Sequence, residues 1–235
     1  MQSTSWLTRC AAMAALALSG AVQAQSTAPD EIERFGLPEG CTGFVTVQYK
    51  LCQVTHHYTC EGDPEGFQHR VDLDDDGPFF VSTIDSEAQW IESLDVRSNI
   101  LDTLDPAPED PASFTDLARK GRDDFNFSTT SEVGETIIYQ GRDLLTGETV
   151  VIDDVPLLRT DTYARATRPD GSLVWESRGN EYIHLDWRLF LAGQSVTRTQ
   201  DGSFQDEDEP VEFHFPGDPG FLALEPEYNC RALLL

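Results

Sequence analysis

Hydrophobic and polar positions alternate along most of this chain, and the alternation runs longest between residues 179 and 191. Side chains of a strand point to opposite faces in turn. Read as one strand, this stretch places Ile183, Leu185, Trp187, Leu189 and Leu191 on one face. Tyr182, His184, Asp186, Arg188 and Phe190 fall on the other. The first set is a continuous apolar stripe and is the expected core. The second is a polar triplet bracketed by two aromatics. A chain turn at Leu185-Asp186 would make the alternation coincidental. Just upstream, Arg168-Pro169-Asp170-Gly171-Ser172 has turn chemistry. Pro fixes φ, Asp bonds its own backbone, and Gly takes φ > 0. The region 160–193 therefore reads as strand, turn and long strand. Trp175 is expected opposite Arg165 across that turn, within cation–π reach.

The same period-two pattern, punctuated by Gly, Pro and Asp, predicts strands over 43–49, 53–59, 67–73, 79–84, 125–129, 135–141, 148–153, 157–167, 173–184, 187–192, 195–200 and 211–215. Residues 88–96 fit either a helix capped by Asp85 or Ser86, or an exposed strand. One short helix, Phe114–Lys120, follows from Ser113-Phe114-Thr115-Asp116 as a capping pattern and Gly121 as a stop. It is expected to pack on the sheet or plug its end. Residues 101–112 hold Pro106, Pro108 and Pro111 and predict an acidic crossover loop. Asp206 to Glu209 reads as a solvated charge run in a loop. Many short strands with turn signals and almost no helix predict a mainly β fold, a curved antiparallel meander or open β-barrel.

The N-terminus changes the picture of where the chain works. Residues 1–24 carry one charge at Arg9, an apolar run and Val22-Gln23-Ala24, the pattern of a secretory signal peptide cut after Ala24. The run is too short for a membrane span. A polar leader is expected over 25–40 and a single β domain over 41–235. The expectation is a periplasmic or secreted soluble protein without a membrane span. The formal net charge is −26, from 16 basic and 42 acidic residues. That balance argues against nucleic acid or an anionic membrane surface as a partner.

Four cysteines follow the leader: Cys41, Cys52, Cys60 and Cys230. In an exported chain an even count implies disulfides. If the first two strands form a hairpin turning at Lys50-Leu51, Tyr49 faces Cys52 and Cys41 falls opposite Cys60, near disulfide distance. This favours Cys41–Cys60 and leaves Cys52–Cys230.

Asp72-Leu73-Asp74-Asp75-Asp76-Gly77 matches the first half of an EF-hand loop, making Asp72, Asp74 and Asp76 the candidate calcium ligands. The match stops there: position 12 would be Thr83, and no helices flank it, so a plain acidic turn competes. His56 and His57 are adjacent on a strand and point to opposite faces. No Gly-x-Ser-x-Gly elbow, Ser-x-x-Lys pair, His-Glu-x-x-His helix or phosphate-cradling Gly loop occurs in the sequence. No cofactor other than calcium is suggested. The remaining candidate surface is Tyr182, His184, Asp186, Arg188 and Phe190, as a pocket wall with aromatics for area and His184 or Arg188 for a polar head group. A solvated face with Asp186 and Arg188 paired to neighbouring strands is the competing reading.

From Gly179-Asn180-Glu181-Tyr182 through Asp186-Trp187-Arg188-Leu189-Phe190, the text resembles exported β-rich proteins of Gram-negative bacteria whose function is uncharacterised. The meander pattern is similar to that of periplasmic lipoprotein carriers and lipocalin-like barrels. The resemblance carries over no site residue and a shared fold gives no function; the leading expectation is a non-enzymatic protein that binds an apolar or amphipathic ligand, such as a lipid, in a sheet concavity. An envelope protein-protein interaction or assembly factor is the alternative. A hydrolase without a recognisable motif comes third.

Overall fold

The computed structural model describes residues 33–230. The expected signal segment 1–24 and the leader as far as 32 lie outside the described residues. The elements are β1 (Cys41–Tyr49), β2 (Gln53–Cys60), β3 (Gln68–Asp74), β4 (Gly77–Ile84), β5 (Trp90–Asp95), β6 (Ile100–Leu104), α1 (Phe114–Lys120), β7 (Arg122–Ser131), β8 (Thr136–Ile152), β9 (Val155–Thr167), β10 (Leu173–His184), β11 (Leu189–Leu191), β12 (Gln194–Thr199), β13 (Ser203–Glu207) and β14 (Pro210–His214). They make one antiparallel sheet in the order β13-β12-β10-β9-β8-β7-β6-β5-β4-β3-β2-β1-β14, with β11 paired back onto β10. The sheet is not closed. The mainly β fold and its single helix are as expected. Among the described residues, no helix is long and apolar enough to cross a membrane.

The sheet bends until distant strands touch. Val45, Val47 and Tyr49 of β1 and Phe213 of β14 pack against Val155, Leu157, Tyr182, Leu189 and Leu191 of β9, β10 and β11. Burying each such side chain stabilises the fold by about 1.5–3 kcal/mol. The other face of β2 and β3 buries Val54, Tyr58, Val71 and Leu73 beneath Phe35, Leu37 and Leu224. The end of the expected leader is therefore packed: Phe35 N–H donates to Leu222 O at 2.6 Å.

The helix starts and stops where its caps dictate. Ser113 Oγ accepts the Asp116 N–H at 3.2 Å, and Gly121, at φ 77°, donates to Leu117 O at 2.9 Å. Asp116 binds Lys120 instead of reaching back, and Asp123 accepts the Ser113 N–H. Phe114 and Leu117 are buried with Ala88 and Ile183, against Phe190.

Cys41–Cys60 and Cys52–Cys230 are the disulfides. The first forms by a different register from the expected one. Tyr49 pairs with Gln53, not Cys52, and Cys52 turns at φ 53°. A bulge between Gly43 and Val45 then restores Cys41 opposite Cys60.

Four other sequence expectations change, and one open choice is settled. Residues 100–104 are strand β6, paired on both sides with β5 and β7, so the crossover loop begins only at Asp105. The sheet continues through the expected boundary because Ile100, Leu101 and Leu104 supply strand-forming apolar positions. The breaker Thr146-Gly147 makes a bulge rather than a turn, so two expected strands merge into β8. Asp206 and Glu207 belong to edge strand β13. Residues 90–95 settle as strand β5; the Asp85 carboxylate holds a turn by accepting from the Glu87 and Gln89 N–H groups. Finally, the long strand is two strands. His184 pairs with Leu189, leaving Leu185 to Arg188 as a turn, with Arg188 at φ 53°. The expected apolar stripe is divided: Ile183 joins the helix cluster, Leu189 and Leu191 join the β1 cluster, and Leu185 is exposed.

Candidate ligand-binding site

Directly opposed residues of an antiparallel pair share a face. The register therefore traces one surface across the sheet. His57 pairs with Arg70, Arg70 with Ser82, Ser82 with Ser93, Ser93 with Asp102, and Asp102 with Ser131. Two and four residues back along β7 lie Thr129 and Phe127; Phe127 pairs with Tyr139, Tyr139 with Ala166, and Ala166 with Trp175. Side chains of this surface from β2 to β10 line a single cavity of about 360 Å³. Strands so far apart in order can share a cavity only if this face is concave.

One wall is aromatic. Trp90 meets Tyr139 edge-on at 5.2 Å between ring centroids, and Tyr139 lies 6.1 Å from Trp175. Phe127 stacks behind Tyr139 at 5.2 Å. Trp90 is 47% exposed, at the mouth. Trp175 reaches this wall through a bulge. The register shifts between Leu173 and Trp175, so Trp175 opposes Ala166, and Arg165 opposes Glu176. A one-residue slip moves a side chain's partners to the other face, so the expected Trp175–Arg165 contact is absent.

The other wall is polar. His57, Gln68 and Arg70 line the cavity. Gln68 Nε2 donates to Trp187 O at 2.8 Å, which leaves its Oε1 buried without a partner. His57 Nε2 and Arg70 Nε are also buried and unpartnered. The Arg70 guanidinium lies 5.2 Å from the Phe80 ring centroid and 3.4 Å from Asp72 Oδ2. Burial, the Arg70 charge and His56 push the His57 imidazole down to about 3, so it is neutral. Burial raises Asp72, while Arg70 and the Thr55 hydroxyl pull it back. Glu92 and Asp102 also face the cavity. Burial raises the Asp102 carboxyl, and Glu135 adds to it.

The sequence-predicted wall disperses. Tyr182 is buried in the β1 cluster and donates to Glu209 Oε1 at 2.9 Å. His184 stacks on Trp187 at 3.6 Å and accepts the Trp187 N–H. Asp186 lies in the turn beside a separate, more open groove with Phe44 and Phe67. Arg188 donates to Ser86 O, Glu87 Oε1 and the Thr115 hydroxyl, and lies over Phe114 at 4.7 Å. Only Phe190 of the five lines the cavity. The reason is the turn at 185–188, which ends the alternation the five depended on.

The residues missed are His57, Gln68, Arg70, Trp90, Tyr139 and Trp175. A signal existed in β3, where Gln68, Arg70 and Asp72 alternate with Val71 and Leu73.

The calcium candidates do not gather. Asp74 is bonded by Arg97 at 2.5 Å, Asp72 accepts from Thr55 at 2.8 Å, and Asp76 N–H donates to Asp74. Among the described residues, the one group of three metal-ligating side chains within 4.8 Å is Cys60, Asp63 and His69. Cys60 is in a disulfide, so its sulfur is not a thiolate. His56 and His57 point apart as expected: His56 bonds Thr46 and stacks near Phe35, and His57 faces the cavity.

Comparisons with protein-family models, with curated proteins and with solved structures find no match to this chain.

Proposed function

We propose that this is an exported binding protein that holds an amphipathic small molecule in the concavity of its open sheet. The observation that carries the reading is the cavity of about 360 Å³ with aromatic rings on one wall and the side chains of His57, Gln68 and Arg70 on the other. Ligand sites have this composition: mostly apolar lining with a few placed polar groups. Two disulfides suit an oxidising compartment, and the 1–24 pattern supports export to the periplasm or beyond.

The test is native mass spectrometry of the protein purified gently from its exported fraction. A retained small-molecule mass is expected, and Ser82→Trp, which fills the cavity, should lack it. A folded wild-type protein that carries no such mass sinks the reading. A second reading, an envelope interaction or assembly factor, draws on β13. That strand ends the strand order with Phe204 51% exposed, and a free edge can pair with another chain. A co-purifying protein in the same experiment would favour it.

A further inference from the structure

We infer that the ligand of this cavity is a saccharide, held by ring stacking on Trp90, Tyr139 and Trp175 and by hydroxyl bonds to Arg70, Glu92 and Asp102. The inference rests on the cavity reading above and adds the ligand's chemistry.

The polar groups that line the cavity decide between ligand classes because they differ in role. The Arg70 guanidinium only donates, the Glu92 and Asp102 carboxylates only accept, and the Ser82 and Ser93 hydroxyls do both.

An acyl chain would cover these groups without bonding any of them, and desolvating a donor or acceptor that gains no partner is unfavourable. A carboxylate head group would satisfy Arg70 but set its lone pairs against Glu92 and Asp102. An ammonium head group would satisfy those acceptors and face the Arg70 charge. A hydroxyl both donates and accepts. Neighbouring hydroxyls on one ring satisfy all these groups together.

The aromatic wall fits the rest of such a ligand. A pyranose carries C–H groups on its ring faces and hydroxyls around its edge. Flat aromatic faces offer large apolar area at a fixed orientation. Trp90, Tyr139 and Trp175 line the cavity and supply such area. A site built to bond hydroxyls also rejects analogues that lack them, since its buried polar groups then stay unpaired.

The test is binding of the fluorescently labelled full-length protein to an array of immobilised mono- and oligosaccharides, with free sugar as competitor. Wild type should be retained by a related subset of glycans and released by the matching free sugar. Trp90→Ala and Arg70→Ala should each weaken retention about tenfold, the equivalent of one lost hydrogen-bonded or stacked contact. Arg119→Ala, on the exposed side of α1, should not. Trp90 is half exposed, so its variant reports on the site even where Arg70→Ala perturbs folding, which its melting temperature reads. If no glycan is retained while native mass spectrometry finds an acyl or other non-sugar molecule, the saccharide inference falls and the cavity reading stands. If neither experiment finds a ligand, both fall. Retention unchanged in Trp90→Ala would overturn the assignment to this cavity.

Discussion

His57 and Arg70 are direct partners across β2 and β3, and both turn into the cavity. The pair puts a neutral imidazole beside a permanent cation. The His57 value falls from 6.5 to about 3 on folding, by burial first and then by Arg70 and His56. The unfolded chain therefore takes up a proton before the folded one does. Stability from this group is full above 6.5 and is lost as pH falls toward 3. The urea midpoint of wild type relative to His57→Leu should therefore decline as the pH is lowered through that window. Comparing the two proteins cancels the buried carboxylates, which respond oppositely. A constant difference would show that His57 is charged or solvated in the fold.

Glu181 has the reverse sign. Its carboxyl is pushed from 4.5 up to about 8 by burial, with the Asp143 charge adding and Arg70 subtracting. The folded state keeps a proton that the unfolded state releases. The contribution is full below 4.5 and disappears as pH rises through 8. Melting temperatures of wild type should fall across that range, and Glu181→Gln should flatten the decline. Parallel curves would place an ionised Glu181 in the native protein.

Arg188 joins the turn after β10 to the segment before β5 and to the helix. It donates to Glu87 Oε1 at 2.9 Å and to the Thr115 hydroxyl at 3.0 Å. Glu87 also accepts the Thr115 N–H at 2.8 Å and the Ser113 hydroxyl at 3.1 Å. Arg188→Ala should cost about 2 kcal/mol, the scale of hydrogen bonds to a charged group, in chemical denaturation. A loss under about 0.5 kcal/mol would put this cluster with ordinary surface pairs.

Gly179 permits the closest approach of β10 to β12. A Cβ there would lie 2.0 Å from Gln194 O and 2.7 Å from Ser195 Cα. Both are backbone atoms, which cannot rotate away. Gly179→Ala should destabilise by about 1–3 kcal/mol and raise hydrogen exchange of the β12 amides first. A variant as stable as wild type, with unchanged exchange, would mean the two strands are not held at this spacing.

Local rules in the sequence set much of this architecture. Strand and turn periodicity placed most strands, and Ser113 and Gly121 placed the helix ends. The expected calcium loop and the expected polar wall did not assemble, for related reasons. Asp72 and Asp74 belong to β3 but Asp76 lies in the turn beyond it, which ends the alternation. Tyr182 to Phe190 cross a turn, which does the same.

The sequence by itself determined the β class, the helix, the four cysteines after residue 40 and the acidic balance, because each depends on neighbours a few residues away or on composition. Tertiary structure alone decided which face each strand turns inward. That choice hangs on bulges at Phe44 and at 173–175 and on the tight turn at 185–188. One residue more or less in a strand flips all its later side chains. The cavity is read from strands β2 to β11, so His57, Gln68, Arg70, Trp90, Tyr139 and Trp175 became neighbours only when the sheet curled with those registers in place.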